Sequence, residues 1–268
     1  MKPLKNFHTH SSFCDGKNTP EEMIKEAIAK GFSTLGFSSH VMLPDVLENV
    51  TLTESNIDDY VASVRSLAQK YKSKIEVLCG IEADYVKGVT SPDFSRYSKW
   101  GFDYIIGSIH FLAVGDDRLC IDHTPEILIN DINRLFNGSA KDFIKSYFAA
   151  EREMVENCDF NIVGHPDLPR KFNEALKIFD ESESWYLEEL EKTADAIAAS
   201  KKIVEINTGA ISRGWMDNPY PSTDFISLLK ERNVPLIISS DAHTASGIDC
   251  AFDKFASLAT IEDFRSVK

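Results

Sequence analysis

The chain has 268 residues, 43% of them hydrophobic and 26% charged, an ordinary balance for a folded protein that excludes disorder as its general state. Forty-two acidic against 29 basic side chains give a formal net charge of −13. That charge argues against nucleic acid and anionic membranes as partners, since both need basic surface, and no apolar run approaches the ~18 residues of a bilayer span.

Short apolar runs alternate with helical patterns along the whole sequence. Residues 1–7 run directly into His8 without an apolar signal core, so a cytoplasmic protein is expected. Strands are predicted at 4–10, 34–40, 75–82, 104–110, 161–165, 203–207 and 236–241. Thr19-Pro20-Glu21-Glu22 reads as a capping box with proline at the first helical position, and Lys30-Gly31 as that helix's end. Further helices are predicted at 53–71, 139–158, 180–200, 222–232 and 261–267. Strand–helix alternation predicts a parallel sheet covered by helices, and seven strands would close a barrel one strand short of the usual eight. No linker or repeat divides the chain, so residues 1–268 read as one domain. Residues 41–50, with Pro44, and 111–124 read as long loops on the catalytic face, where they would shape substrate choice.

Six of the seven histidines fall at the ends of these apolar runs: His8, His10, His40, His110, His165 and His243. Glu82 and Asp241 hold equivalent positions, and Asp15 follows His10 by five residues. Residues two apart on a strand point to the same side, so His8 and His10 can reach one ion, and Asp241 and His243 repeat the spacing. Glu82 can bridge two ions with its two oxygens. Each residue has a structural alternative. His40 or His165 could be a hydrogen-bonded core residue, Glu82 a helix cap, Asp241 an N-cap. Independent core histidines have no reason to share one face, whereas ligands of zinc, iron or manganese do. The five cysteines form no C-x-x-C pair and read as free thiols; Cys14 lies beside the first motif as an oxidation-sensitive candidate.

The set H-x-H, acid, H, G-x-E, S-x-H, G-H-P-D and D-x-H, in this order from His8 to His243, resembles the polymerase and histidinol phosphatase (PHP) superfamily. Phe13-Cys14-Asp15-Gly16 and Gly107-Ser108-Ile109-His110-Phe111 look like its stand-alone histidinol-phosphatase branch. The resemblance implies an α/β fold, a distorted seven-stranded (β/α)7 TIM-like barrel. It implies two to three divalent ions (Zn, Mn or Fe). The first would take His8, His10, Glu82 and Asp241, the second Glu82, His110 and His165, the third Asp15, His40 and His243. Some relatives have histidine where this chain has Asp15, a harder ligand that alters metal preference. The implied activity is hydrolysis of a small-molecule phosphate ester, L-histidinol phosphate, to L-histidinol and phosphate in histidine synthesis. Other members of the superfamily imply alternatives: a phosphotyrosine-protein phosphatase, a nucleoside-phosphate phosphatase, or a non-catalytic module. The last should have lost ligands, and this chain has the full set.

Three divalent ions would outweigh the three carboxylates and leave the site positive, so an acidic chain can still attract a phosphate. Arg170 and Arg213 are candidates to clamp it with their planar guanidinium forks. Asn207 is a candidate to touch substrate or orient a ligand. Asp241 and His243 are candidates for proton transfer to the leaving alkoxide, and Asp167 for accepting a proton from a ligand imidazole. Phe111 and Leu112 offer an apolar wall, Asp116 and Asp117 an acid for an amine, and His123 either a substrate contact or an exposed loop residue.

Overall fold

The computed structural model describes residues 4–41 and 50–267. Its strands are β1 (Leu4–Asn6), β2 (Phe32–His40), β3 (Glu76–Asp84), β4 (Ile105–Ser108), β5 (Phe111–Val114), β6 (Asp117–Cys120), β7 (Ile162–Val163), β8 (Ile203–Asn207) and β9 (Leu236–Ser239). Seven of them pair in the order β1-β2-β3-β4-β7-β8-β9, and every pair is parallel. A bridge between Thr9 and Ala242, with the His10 amide 2.9 Å from the Ala242 carbonyl, joins the first strand's extension to the last. The result is the nearly closed seven-stranded barrel expected.

Such a sheet is covered on both faces, which is why its strands are apolar without alternation. Inside the barrel, Phe7, Leu78, Tyr104, Ile106, Ile162, Ile203 and Ile237 form one cluster. The helices pack on the other face in a larger one. Tyr104 fills space that two glycines leave open. A Cβ on Gly80 would lie 2.5 Å from its ring, and one on Gly36 2.3 Å from its hydroxyl. That hydroxyl reaches the Phe7 carbonyl at 2.6 Å and the Phe37 carbonyl at 2.9 Å. Phe264 closes the bottom, edge-on to Phe7 with ring centroids 5.1 Å apart. It sits on a single 3-10 turn, Phe264–Ser266, where a helix over 261–267 is predicted. Asp263 accepts the Arg265 amide as the N-cap of this turn, so the turn starts only there.

The capping box forms as predicted: Thr19 Oγ1 accepts from the Glu22 amide, and Glu22 accepts from the Thr19 amide at 2.8 Å. Helices Ala140–Asn157 and Thr223–Glu231 also match, with Ser139 and Ser222 as N-caps. Two helices start later than the periodicity suggests. The helix after β2 is Ile57–Tyr71, because Asn56 Oδ1 takes the Thr53 amide in a turn. The one before β8 is Ser184–Ser200, because Asp180 Oδ1 takes the Ser182 amide. Both are side-chain competitors for backbone donors.

Residues 111–124 are not a plain loop. β5 and β6 form an antiparallel hairpin, with Gly115 at φ +61° in its turn. Thr124 then caps a helix, Pro125–Phe136, that the periodicity reading passes over. Of the predicted 41–50 loop, residues 42–49 lie outside the described residues. Among the described residues no helix is long and apolar enough to cross a membrane.

Candidate metal centre

Strand register brings the chemistry to one level. His40 at the end of β2 pairs with Glu82 on β3, and Asp84 with Ser108 on β4. His8 and His10 extend β1, His165 follows β7, and Asp241 and His243 follow β9. Their side chains converge on Glu82, whose two oxygens face two sets of imidazoles. Oε2 lies 3.0 Å from His8 Nε2, 3.4 Å from His10 Nε2 and 3.2 Å from His40 Nδ1. Oε1 lies 2.9 Å from His165 Nε2 and 3.5 Å from His110 Nε2. Asp241 Oδ1 stands 3.2 Å from His10 Nε2 and 3.7 Å from His8 Nε2. Asp15 Oδ2 stands 3.0 Å from His243 Nε2 and 3.8 Å from His40 Nε2.

Three overlapping groups have donor atoms within 4.8 Å of one another: His8, His10 and Glu82; His40, Glu82 and His110; and His10, Asp15, His40 and His243. Cations held among these donors would satisfy polar atoms that the protein leaves unpaired. Among the described residues, His10 Nε2, His40 Nδ1 and His165 Nδ1 are buried without a hydrogen-bond partner, an expensive state for a polar atom. The His10 and His243 rings stack at 4.1 Å. His165 and Asp241 adopt left-handed backbone, at φ +26° and +47°. Strain of this kind costs on the order of 1–3 kcal/mol per residue and gathers at functional sites.

Charge follows the same geometry. Burial would push the Glu82 carboxyl up, but His8, His40 and His110 hold it well below the usual carboxylate range. Asp241 is likewise held down against burial, by Arg213 and His8, and Asp15 by His40 and His243. Burial lowers His40 to about 4, only partly offset by Glu82 and Asp15. His110 is raised to about 10 because Asp84 and Glu82 outweigh its burial. Ionised carboxylates thus hold protons on several imidazoles, and those protons are what a divalent ion displaces.

A ring of acceptors fixes the imidazoles from behind. Glu205, fully buried on β8, accepts from His8 Nδ1 at 2.9 Å, from the His165 amide at 3.1 Å and from Asn207 Nδ2 at 2.8 Å. Asp84 accepts the His110 amide at 2.8 Å and lies 3.1 Å from its Nδ1. Ser108 donates to Glu82 Oε1 at 2.7 Å, and Cys14 Sγ lies 3.4 Å from His10 Nδ1. Sequence reasoning missed Glu205 and Asp84, though a signal existed. Glu205 is a lone acid in an apolar strand, two residues before Asn207, and Asp84 repeats the same spacing after Glu82.

A cavity of about 500 Å³ opens onto this cluster. Arg213 lines it, with Nη2 3.0 Å from Asp241 Oδ2 and Nη1 3.0 Å from His243 Nδ1. Phe111, Cys120, Asp122, His123 and Lys171 also line it. Arg170 is elsewhere, contrary to expectation. Its side chain is 7% exposed, its Nε donates to Glu181 at 2.7 Å, and its Nη1 reaches Asp167 and the Pro219 carbonyl at 3.3 Å. Lys171, the next residue on the turn Leu168–Phe172, reaches the cavity in its place. Asp167 accepts the Ser222 amide at 2.7 Å rather than an imidazole proton. Asn207 is fully buried, holding Glu205 and, at 3.4 Å, Asp241. It orients acids and does not line the cavity. Asp116 and Asp117 sit exposed at the hairpin tip, where Asp117 pairs with Arg134, and Leu112 packs into the outer core.

The PHP domain family model matches residues 6–209, about three-quarters of the chain. The probable histidinol-phosphatase of Schizosaccharomyces pombe is 29% identical, covering 88% of this chain and 79% of its own. Two solved structures share the fold. A Listeria monocytogenes protein bearing the histidinol phosphatase name superposes with a TM-score of 0.82 at 20% identity, over 94% of this chain and 99% of its own. The histidinol phosphate phosphatase of Lactococcus lactis, solved with zinc, L-histidinol and phosphate, gives 0.70 at 21% identity, over 95% and 93%. By its matched residues and its barrel, this chain belongs to the PHP family.

Proposed function

We propose that the protein is a cytoplasmic histidinol-phosphatase, hydrolysing L-histidinol phosphate to L-histidinol and phosphate with two to three divalent ions of zinc, manganese or iron. The observation that carries this reading is the cluster of six histidines and three carboxylates at one end of the barrel, with Arg213 beside it at a substrate-sized cavity. The names of its relatives point to the same ester. His8, His10, Glu82 and Asp241 would hold one ion, Glu82, His110 and His165 a second, and Asp15, His40 and His243 a third. Ions held there supply Lewis acidity for the phosphoryl oxygens and for a water nucleophile.

The chain's own groups do the rest. Arg213 is anchored by Asp241 and His243, so its fork meets the phosphate without losing side-chain freedom. Asp241, held ionised by Arg213 and His8, is an acceptor of protons rather than a donor. Glu205 and Asp84 keep the His8 and His110 rings turned so that Nε2 faces Glu82. Phe111 presents an aromatic surface for an imidazole.

Substrate preference tests the reading directly. Binding energy from the amine and ring is realised at the reacting centre, so kcat/KM for histidinol phosphate should exceed that for p-nitrophenyl phosphate by at least ~100-fold, on the order of 2.7 kcal/mol. Equal rates, or preference for a phosphotyrosine peptide, would replace the reading with another phosphoesterase activity.

The two arginines should separate. Arg213→Ala should lower kcat/KM by roughly 1.5–3 kcal/mol for each charged hydrogen bond lost. Arg170→Ala should leave kcat/KM of the folded protein near normal and lower its thermal midpoint, because it strands the buried Asp167 without a counter-charge, a loss of about 3 kcal/mol or more. Kinetics paired with a thermal melt decides between them. An Arg170→Ala protein with a normal melt and lost activity would return Arg170 to the phosphate site.

A further inference from the structure

We propose that Asp122 is the specificity-determining residue that receives the substrate's primary ammonium group. This rests on the histidinol-phosphate reading of the cavity and deepens it. Among the described residues four carboxylates line the cavity: Asp15, Glu82, Asp241 and Asp122. The first three are packed among the histidines. Asp122 is not: it follows β6 and is bonded to Lys171, which also lines the cavity.

Its position is fixed. Lys171 Nζ donates to the Asp122 carbonyl at 2.6 Å and to Oδ2 at 3.0 Å, clamping backbone and side chain together. Oδ1 accepts no hydrogen bond among the described residues, and the side chain keeps 25% of its surface exposed. Burial opposes ionisation, but Lys171 and His110 outweigh it and keep the carboxylate charged. A preformed anion with an oxygen that no described residue donates to is suited to a cation that arrives with the ligand.

The chemistry of the ester matches. In an amino-alcohol phosphate the ammonium is borne on the carbon next to the ester carbon. The acid that takes it must therefore stand close to the phosphate site without belonging to it. Asp122 does so: it feels the charges of His110 and His165 and is bonded to neither. Asp116 and Asp117, exposed at the hairpin tip, are outside the cavity lining.

The test compares Asp122→Asn with the unaltered protein on histidinol phosphate and on its des-amino analogue, imidazolylpropyl phosphate, with metal content measured for each. The variant should lose about 10–100-fold in kcat/KM on histidinol phosphate and stay within about twofold on the analogue. Equal loss on both substrates, or none on either, overturns the proposal. A second measurement does not depend on the variant's folding. With the unaltered protein, histidinol should inhibit at least ~10-fold more tightly than its des-amino alcohol, and equal inhibition overturns the proposal. Failure of the underlying reading looks different: the unaltered protein would not prefer histidinol phosphate to p-nitrophenyl phosphate at all.

Discussion

Glu82→Gln should lower kcat/KM roughly 10³-fold, the several kcal/mol that metal ions contribute to phosphoryl-transfer charge stabilisation, and reduce bound metal by more than one ion per chain. Among the described residues, Glu82 is the one side chain whose two oxygens face both imidazole sets: Oε2 toward His8, His10 and His40, Oε1 toward His110 and His165. Glutamine keeps the volume, so the barrel should still fold. It removes the negative charge and turns an NH2 donor toward imidazoles that should be presenting lone pairs to ions. A chelator applied to the unaltered protein should reproduce the loss, and added zinc or manganese should restore it. Elemental analysis with parallel kinetics reads both effects. A metal-replete, fully active Glu82→Gln protein would mean that Glu82 holds the histidines by hydrogen bonds alone and that the ions lie elsewhere.

The parts of the molecule that sequence periodicity records are the parts it could predict. A parallel strand buried on both faces leaves an apolar run, and a polar residue at its end is visible against that background; His40, Glu82 and His165 were legible for this reason. Contacts made by pairing across the fold leave no such mark. The hairpin of β5 and β6 is held by register between Phe111 and Cys120, which neither segment shows alone. Gly36 and Gly80 look like weak points in their strands until Tyr104, distant in sequence, is seen to occupy the space they leave. Arg170 and Lys171 are adjacent cations on one turn, and only the fold decides that the first turns to Asp167 and Glu181 while the second enters the cavity. Glu205 and Asp84 were hidden differently: their spacing was in plain view, but an acid inside a strand has meaning only once the imidazole it faces is known.

Glu205→Gln should weaken metal binding about 10–100-fold, the usual consequence of removing the acceptor behind a ligand histidine. The expectation comes from what Glu205 touches. Its carboxylate accepts from His8 Nδ1, the His165 amide and Asn207 Nδ2, joining three of the strand ends that build the site. The His8 bond selects the tautomer that leaves Nε2 as a lone pair facing Glu82. A glutamine has one acceptor oxygen for these three donors, and its amide nitrogen would oppose an N–H wherever it pointed. The protein must then leave a buried donor unsatisfied or rotate His8 out of line, and the second choice loosens the ion. Titration against a competing chelator measures the affinity, and at saturating metal the variant should recover most of its kcat. That recovery separates a positioning residue from a ligand, since a lost ligand is not replaced by excess metal. Glu205→Ala should add a loss of fold stability, because it abandons all three donors inside a fully buried site. Unchanged metal affinity in Glu205→Gln would show that His8 is aligned by the β1 backbone and by Glu82 alone.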